Sequence, residues 1–202
     1  MPMALNDDAV FTAAVGYVFT NAVGATAPTP ALLKTIDLED TSTWTGATGW
    51  DNVGHTSRND MPEFGSEGGE KEMRGTWQRK RLREVETGDP LADYVTLFLH
   101  QFDEDALSLY YGPNGSSTPG IFGVTGDQVT NEKAFLIVIV DGEERLGFYA
   151  PKASVKRDDS LQLPVDDFAS LPIRATFLDH GSADLYNWIN EDLFNVPDPE
   201  GP

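Results

Sequence analysis

The sequence predicts a mainly β fold, a β-sandwich or barrel of roughly seven or eight strands with one flanking α-helix, a long loop and a short C-terminal helix. Three observations carry that prediction. Strand-length runs rich in apolar, β-branched and aromatic residues recur between turns containing Gly, Pro and Asp. One internal stretch, 103–111, has an acidic cap, an apolar face and a Gly-Pro stop in the order a helix needs. Hydrophobic residues make up 40% of 202 positions, enough for one sizeable ordered domain.

Taken in order, residues 9–19 (AVFTAAVGYVF) read as a strand, with Gly16 as a bulge position. Residues 24–30 (GATAPTP) form a loop, and 35–43 are short and acidic. Residues 44–57 (WTGATGWDNVGHTS) turn, enter a strand and leave it for a loop. Residues 58–73 (RNDMPEFGSEGGEKEM) are polar and nearly without periodicity. A loop of that length inside a domain is either a binding device or merely mobile.

Residues 76–86 and 93–101 read as the two strands of a hairpin joined by Thr87-Gly88-Asp89-Pro90. The second strand is apolar on both faces, so one face should meet a core and the other a covering element or partner. Asp103 caps the helix beside it, and 112–126 is a Gly/Ser/Pro connection. Residues 135–140 (FLIVIV) are a buried strand, Asp141-Gly142-Glu143-Glu144 its hairpin turn and 145–149 the return. Pro151 is expected to interrupt, with 153–157 continuing in a second sheet, and 173–178 form the last strand. Ser182 is expected to cap an amphipathic helix with Leu185, Trp188, Ile189 and Leu193 on one side, before a disordered tail at 195–202. The division that follows is a β domain at 1–181, with a long loop at 51–73, and a helix and acidic tail at 182–202.

Composition excludes several classes. With no cysteine there is neither a disulfide framework nor a thiolate metal site, and a reducing compartment suits the chain. A net charge of -19 repels free nucleic acid, because duplex binding rests on cationic contacts with phosphate. The start is acidic where a secretory signal would be positive, and no apolar run approaches a membrane span. His55, His100 and His180 are scattered, and no HExxH, GxSxG, Walker A or GxGxxG occurs. Asp103-Glu104-Asp105 is better explained as a helix cap than as a metal or acid/base cluster. Asp158-Asp159 and Asp166-Asp167 read as solvated turns rather than a glycosidase pair. No catalytic, cofactor or metal residue is therefore assigned, and the chain reads as a non-enzyme.

One charge feature stands apart. Arg74, Arg79, Lys80, Arg81 and Arg83 are five of fourteen basic residues, packed into ten positions. Strand alternation would put Arg79, Arg81 and Arg83 on one face with Trp77, and Lys80 opposite. Such a face suits an oligonucleotide or an acidic copy of the same chain, or is simply solvated. The acidic balance favours self-association.

Several stretches together resemble a known family: GATAPTP at 24–30, GHTS at 54–57 before the long polar loop, a strand running into a helix that ends LYYG at 109–112, and GFYAPKASV at 147–155. The series is similar to the major tail subunit, or tail tube protein, of long non-contractile-tailed bacteriophages, especially those infecting actinobacteria. It covers about residues 4–178. The resemblance implies a structural virion protein that forms hexameric rings stacked into a tube, with viral dsDNA passing through the lumen unbound. It implies as partners other copies of the chain and the tape measure, tail terminator and tail tip proteins, with no cofactor and no membrane. It places the protein in the virion tail, assembled in the host cytoplasm. Mapped here, the stacking loop is 51–73, and the expected self-assembly residues are Asp51, His55, Arg58, Phe64, Glu67, Glu70, Arg79, Arg81, Arg83 and Trp188. The alternatives are a monomeric β-sandwich recognition module for carbohydrate or protein, using Trp44, Trp50 and Trp77, and within the virion a tail terminator or connector.

Overall fold

The computed structural model describes residues 5, 7–126, 130–161 and 163–194. Among them the fold is mainly β, as the sequence predicts. In chain order come β1 (Val15–Asn21), α1 (Pro30–Thr35), β2 (Asp51–Asn52), β3 (Glu63–Glu67), β4 (Lys71–Arg74) and β5 (Arg83–Glu86). Then follow β6 (Ala92–Leu99), α2 (Glu104–Tyr111), β7 (Asn131–Asp141), β8 (Glu144–Arg157), β9 (Leu171–Phe177) and β10 (Asn187–Ile189). Hydrogen-bonded neighbours run β2-β1-β7-β8-β9-β6-β3, with β10 on β8; β4 and β5 form a separate pair. The chain makes two compact units: Met1–His55, Thr130–Ala153 and Leu178–Pro202 in the first, Thr56–Val129 and Ser154–Phe177 in the second.

In the first unit β1 pairs antiparallel with β7 from Val15 opposite Val140 to Asn21 opposite Ala134. The register has no skip, so Gly16 is an ordinary ladder residue opposite Ile139 and not a bulge. β7 turns into β8 through Gly142-Glu143; the glycine takes φ +62° at the first central position, where a tight hairpin turn needs it. Pro151 does not interrupt β8, and 153–157 stay in the same strand. Proline lacks only the donor, and here its carbonyl accepts the Gly24 N–H at 2.8 Å.

The core of this unit gathers Phe19, Leu33, Trp44, Trp50, Leu136 and Val138. Both buried indoles keep a hydrogen bond: Trp44 Nε1 donates to the Asp37 carbonyl at 2.6 Å and Trp50 Nε1 to that of Thr26 at 3.0 Å. The short helix α1 follows Thr29, whose hydroxyl accepts from Leu32 N–H, with Pro30 in the first turn. At its far end one Arg145 nitrogen donates to the Leu33 and Ile36 carbonyls at 3.1 and 2.6 Å. The expected C-terminal helix is corrected. Asn187, Trp188 and Ile189 form β10 instead, paired with Tyr149, Phe148 and Gly147 of β8. The pairing puts Trp188 edge-on to Phe148 at 5.1 Å and overrides the helical spacing. The tail at 195–202 lies outside the described residues.

In the second unit β6 lies between β9 and β3. This corrects the expected hairpin of 76–86 with 93–101. Residues 75–82 are a turn, β5 pairs with β4, and β6 takes β3 from the stretch read as a loop. The strand expected at 173–178 is β9, which begins two positions earlier, at Leu171, and is followed by β10 rather than being the last. Helix α2 is as expected: the Asp103 carboxylate accepts the Ala106 N–H at 2.9 Å, and Gly112, at φ +93°, follows its last turn. The helix packs on β9 with Ala106, Leu109 and Tyr110 buried. Among the described residues no helix is long and apolar enough to cross a membrane.

Candidate self-assembly interface

The ten residues singled out in the sequence fall on both units. Asp51, His55 and Trp188 belong to the first and are exposed. Asp51 stands in the two-residue β2 and Trp188 in β10. Arg58, Phe64, Glu67, Glu70, Arg79, Arg81 and Arg83 belong to the second and are exposed as well. The structure gathers Arg79, Arg81 and Arg83 into one hairpin, places Phe64 and Glu67 on β3, and sets Glu70 at the hairpin base, where its carbonyl accepts the Thr87 N–H at 3.1 Å. Arg58 lies in the bend before β3.

β3 ends the hydrogen-bonded order, so one of its edges has no strand beside it among the described residues. Its other edge follows β6 from Glu63 opposite Thr96 to Glu67 opposite Ala92. Arg174 of β9 fastens this corner. It donates to Asp158 Oδ1 at 2.6 Å and to Glu67 Oε2 at 2.9 Å, and lies 4.1 Å over the Tyr94 ring. Burial works against the guanidinium charge, but the Asp158 hydrogen bond and charge outweigh it and hold the group above its ordinary pKa. Sequence reasoning missed Arg174. Its signal was the one charged residue in the strand segment Ile173–Phe177.

Among the described residues the β4–β5 hairpin pairs with no other strand. Gly68 and Gly69, at φ +79° and +69°, turn the chain into it, and Gly69 N–H donates to the Asp89 carbonyl at 2.8 Å to close the base. At the tip Thr76 and Arg79 exchange backbone hydrogen bonds at 2.7 and 3.1 Å. The face expected from strand alternation through 77–83 does not exist, because 75–82 turn and only Arg83 lies on a strand. The register instead puts Glu72 with Val85 and Arg74 with Arg83 on one face, and Lys71 with Glu86 and Met73 with Glu84 on the other. Trp77 is 98% exposed.

An edge strand open on one side and an exposed hairpin outside the main sheet are features of a chain that pairs with others. Comparison with known proteins agrees. The pattern of the family described as phage tail tube protein matches residues 3–201. The chain belongs to that family. It is similar to the major tail protein Gp23 of Mycobacterium phage L5, 66% identical over 200 residues, covering 98% of this chain and all of the relative. It is 63% identical over 194 residues to the major tail protein Gp23 of Mycobacterium phage D29, covering 96% and 97%. The likeness to tail tube proteins of phages that infect actinobacteria is thereby borne out. A tail tube protein is a structural component of the virion tail.

For this tail tube protein the carbohydrate-platform alternative loses two of its three aromatics. Trp44 and Trp50 are each only 1% exposed and are core residues. Nor do the acidic groups converge: among the described residues no three of His, Asp or Glu are placed to hold a metal ion.

Proposed function

We propose that this chain is the major subunit of a tail tube, closing laterally into hexameric rings that stack axially into a conduit for viral DNA. The observation that carries the reading is an open outer edge on β3 and a β4–β5 hairpin that joins no other strand among the described residues. A ring removes the exposed edge by pairing it with a neighbour, and one heterologous contact repeated axially builds a tube. The charge of -19 supports passage of DNA without capture, because a negative wall does not bind a polyanion. The name of the two Gp23 relatives, major tail protein, supports a repeated subunit rather than a single ring. In this reading Asp51, His55, Arg58, Phe64, Glu67, Glu70, Arg79, Arg81, Arg83 and Trp188 lie at contacts between copies. The tube surrounds a tape measure protein, ends at terminator and tip proteins, and is built in the host cytoplasm.

Negative-stain electron microscopy of the concentrated protein tests the reading. Rings or hollow tubes are expected. A strictly monomeric species, even with the other tail components present, overturns it. Single rings that never stack would assign the chain to a terminator or connector instead.

A further inference from the structure

The β4–β5 hairpin differs in charge from everything around it. Residues 71–86 hold six of the fourteen basic residues and three of the thirty-three acidic ones. Their formal charge is +3, and that of the rest of the chain is -22. The segment is exposed along its whole length apart from Val85, so this charge faces solvent.

Within the hairpin, Arg74 and Arg83 stand directly opposite each other on one face. Like charges opposed across a ladder destabilise the pair. Among the described residues Arg74 has a single ion pair, to Glu72 at 3.4 Å, and both side chains are mostly solvent-exposed, so it contributes little. Arg79, Lys80, Arg81 and Arg83 make no ion pair among the described residues. Glu84 and Glu86 lie on the opposite face and cannot relieve the arginines. A carboxylate from outside, placed between the two guanidiniums, would accept charge-assisted hydrogen bonds from both. Beyond them the tip holds Trp77 on a turn fixed by the reciprocal Thr76 and Arg79 hydrogen bonds. An exposed tryptophan on a turn that also carries Arg79, Lys80 and Arg81 is the kind of residue that anchors an interface when buried.

We infer that this hairpin is a carboxylate-binding arm that docks on the acidic surface of a second copy of the chain, with Arg74 and Arg83 gripping one carboxylate and Trp77 buried beside it. The inference rests on the proposed self-assembly and adds the chemistry of one contact. Complementary charge selects the occupant: the surface available on every other copy is strongly negative. The same negative body opposes a nucleic acid at the arm.

The test uses the full-length protein, wild type and an Arg74→Glu/Arg83→Glu variant, with Trp77→Phe as a spectroscopic control. Assembly is followed by sedimentation and negative stain from roughly 50 to 500 mM NaCl. The variant should melt as the wild type does, because both side chains are exposed, yet need at least about tenfold more protein to assemble. Raising salt should weaken wild-type assembly and change the variant less. Tryptophan emission should shift to the blue on wild-type assembly, and by less in Trp77→Phe. Wild-type tubes together with an unimpaired, salt-insensitive variant would overturn the arm and leave the tube reading intact. Failure of the wild type to assemble would overturn both. Arm-dependent binding of a DNA duplex of about 30 base pairs at physiological salt would overturn the assigned partner.

Discussion

Gly65 of β3 lies directly across from Tyr94 of β6, and the phenol ring fills the space a side chain at 65 would need: a Cβ there would meet Tyr94 Cζ at 2.6 Å. The same ring carries the Arg174 guanidinium at 4.1 Å, which in turn holds Glu67. The edge strand is therefore secured from one face by a glycine, an aromatic cover and a cation. Gly65→Val should push Tyr94 off β3 and loosen the Arg174–Glu67 pair. We expect a loss of about 1–3 kcal/mol in urea denaturation, the usual cost of overpacking. Assembly should weaken with it. Unchanged stability would mean the ring swings aside freely and does not fasten the edge.

The two acidic partners of Arg174 should differ in weight. Asp158 is 21% exposed and bonded at 2.6 Å, whereas Glu67 is 59% exposed. Solvent screens the outer pair, so Glu67→Gln should cost less than about 0.5 kcal/mol. Arg174→Met leaves Asp158 half-buried without its cation and should cost about 1–3 kcal/mol. Equal effects of Glu67→Gln and Arg174→Met in chemical denaturation would contradict this ranking.

How far the sequence discloses the fold depends on whether local chemistry or a distant strand decides each element. Helix α2 was legible because Asp103, the apolar positions and Gly112 all act within one segment. The β7–β8 hairpin was legible for the same reason, with Gly142 supplying the turn. β10 was not legible. Leu185, Trp188, Ile189 and Leu193 have helical spacing, and only the edge offered by Gly147–Tyr149 makes Asn187, Trp188 and Ile189 a strand. β3 was hidden likewise, since EFGSE has no alternation and is a strand only because β6 lies beside it. Basic residues at 74–83 marked the hairpin as unusual, yet the turn at 75–82 depends on the close approach of Gly75 to the Lys80 carbonyl, which composition does not reveal. The family itself was legible from the order of short motifs along the whole chain.

Leu99 and Val138 probe the two units separately. Each is fully buried, Leu99 in β6 of the second unit and Val138 in β7 of the first. An aspartate at either place would be a buried charge without a partner. Leu99→Ala should cost about 2–5 kcal/mol through the cavity it leaves. Leu99→Asp and Val138→Asp should each abolish the cooperative thermal transition. A wild-type melt in either variant would show that the strand concerned does not form the core.

Alkaline pH offers a test of the first unit that needs no loss of packing. Tyr149 donates its hydroxyl to the Ala25 carbonyl at 2.7 Å, and burial raises its pKa above the ordinary value of 10.0. An ionised phenolate there would lose water and face a carbonyl oxygen with no proton between them. Because the folded protein holds this proton more tightly than the unfolded chain, the stabilisation is fully present below pH 10.0 and is lost as pH rises through the higher folded value. Burial shifts Tyr17 and Tyr110 the same way, so the wild type should lose stability over that window at more than one site. Tyr149→Phe should cost about 0.5–1.5 kcal/mol at pH 7 through the missing hydrogen bond. Its stability should then fall less steeply above pH 10.0 than that of the wild type. Urea denaturation at several alkaline pH values measures both quantities. Parallel curves for the two proteins would mean that Tyr149 titrates as it does in the unfolded chain, and that the Ala25 hydrogen bond does not retain its proton.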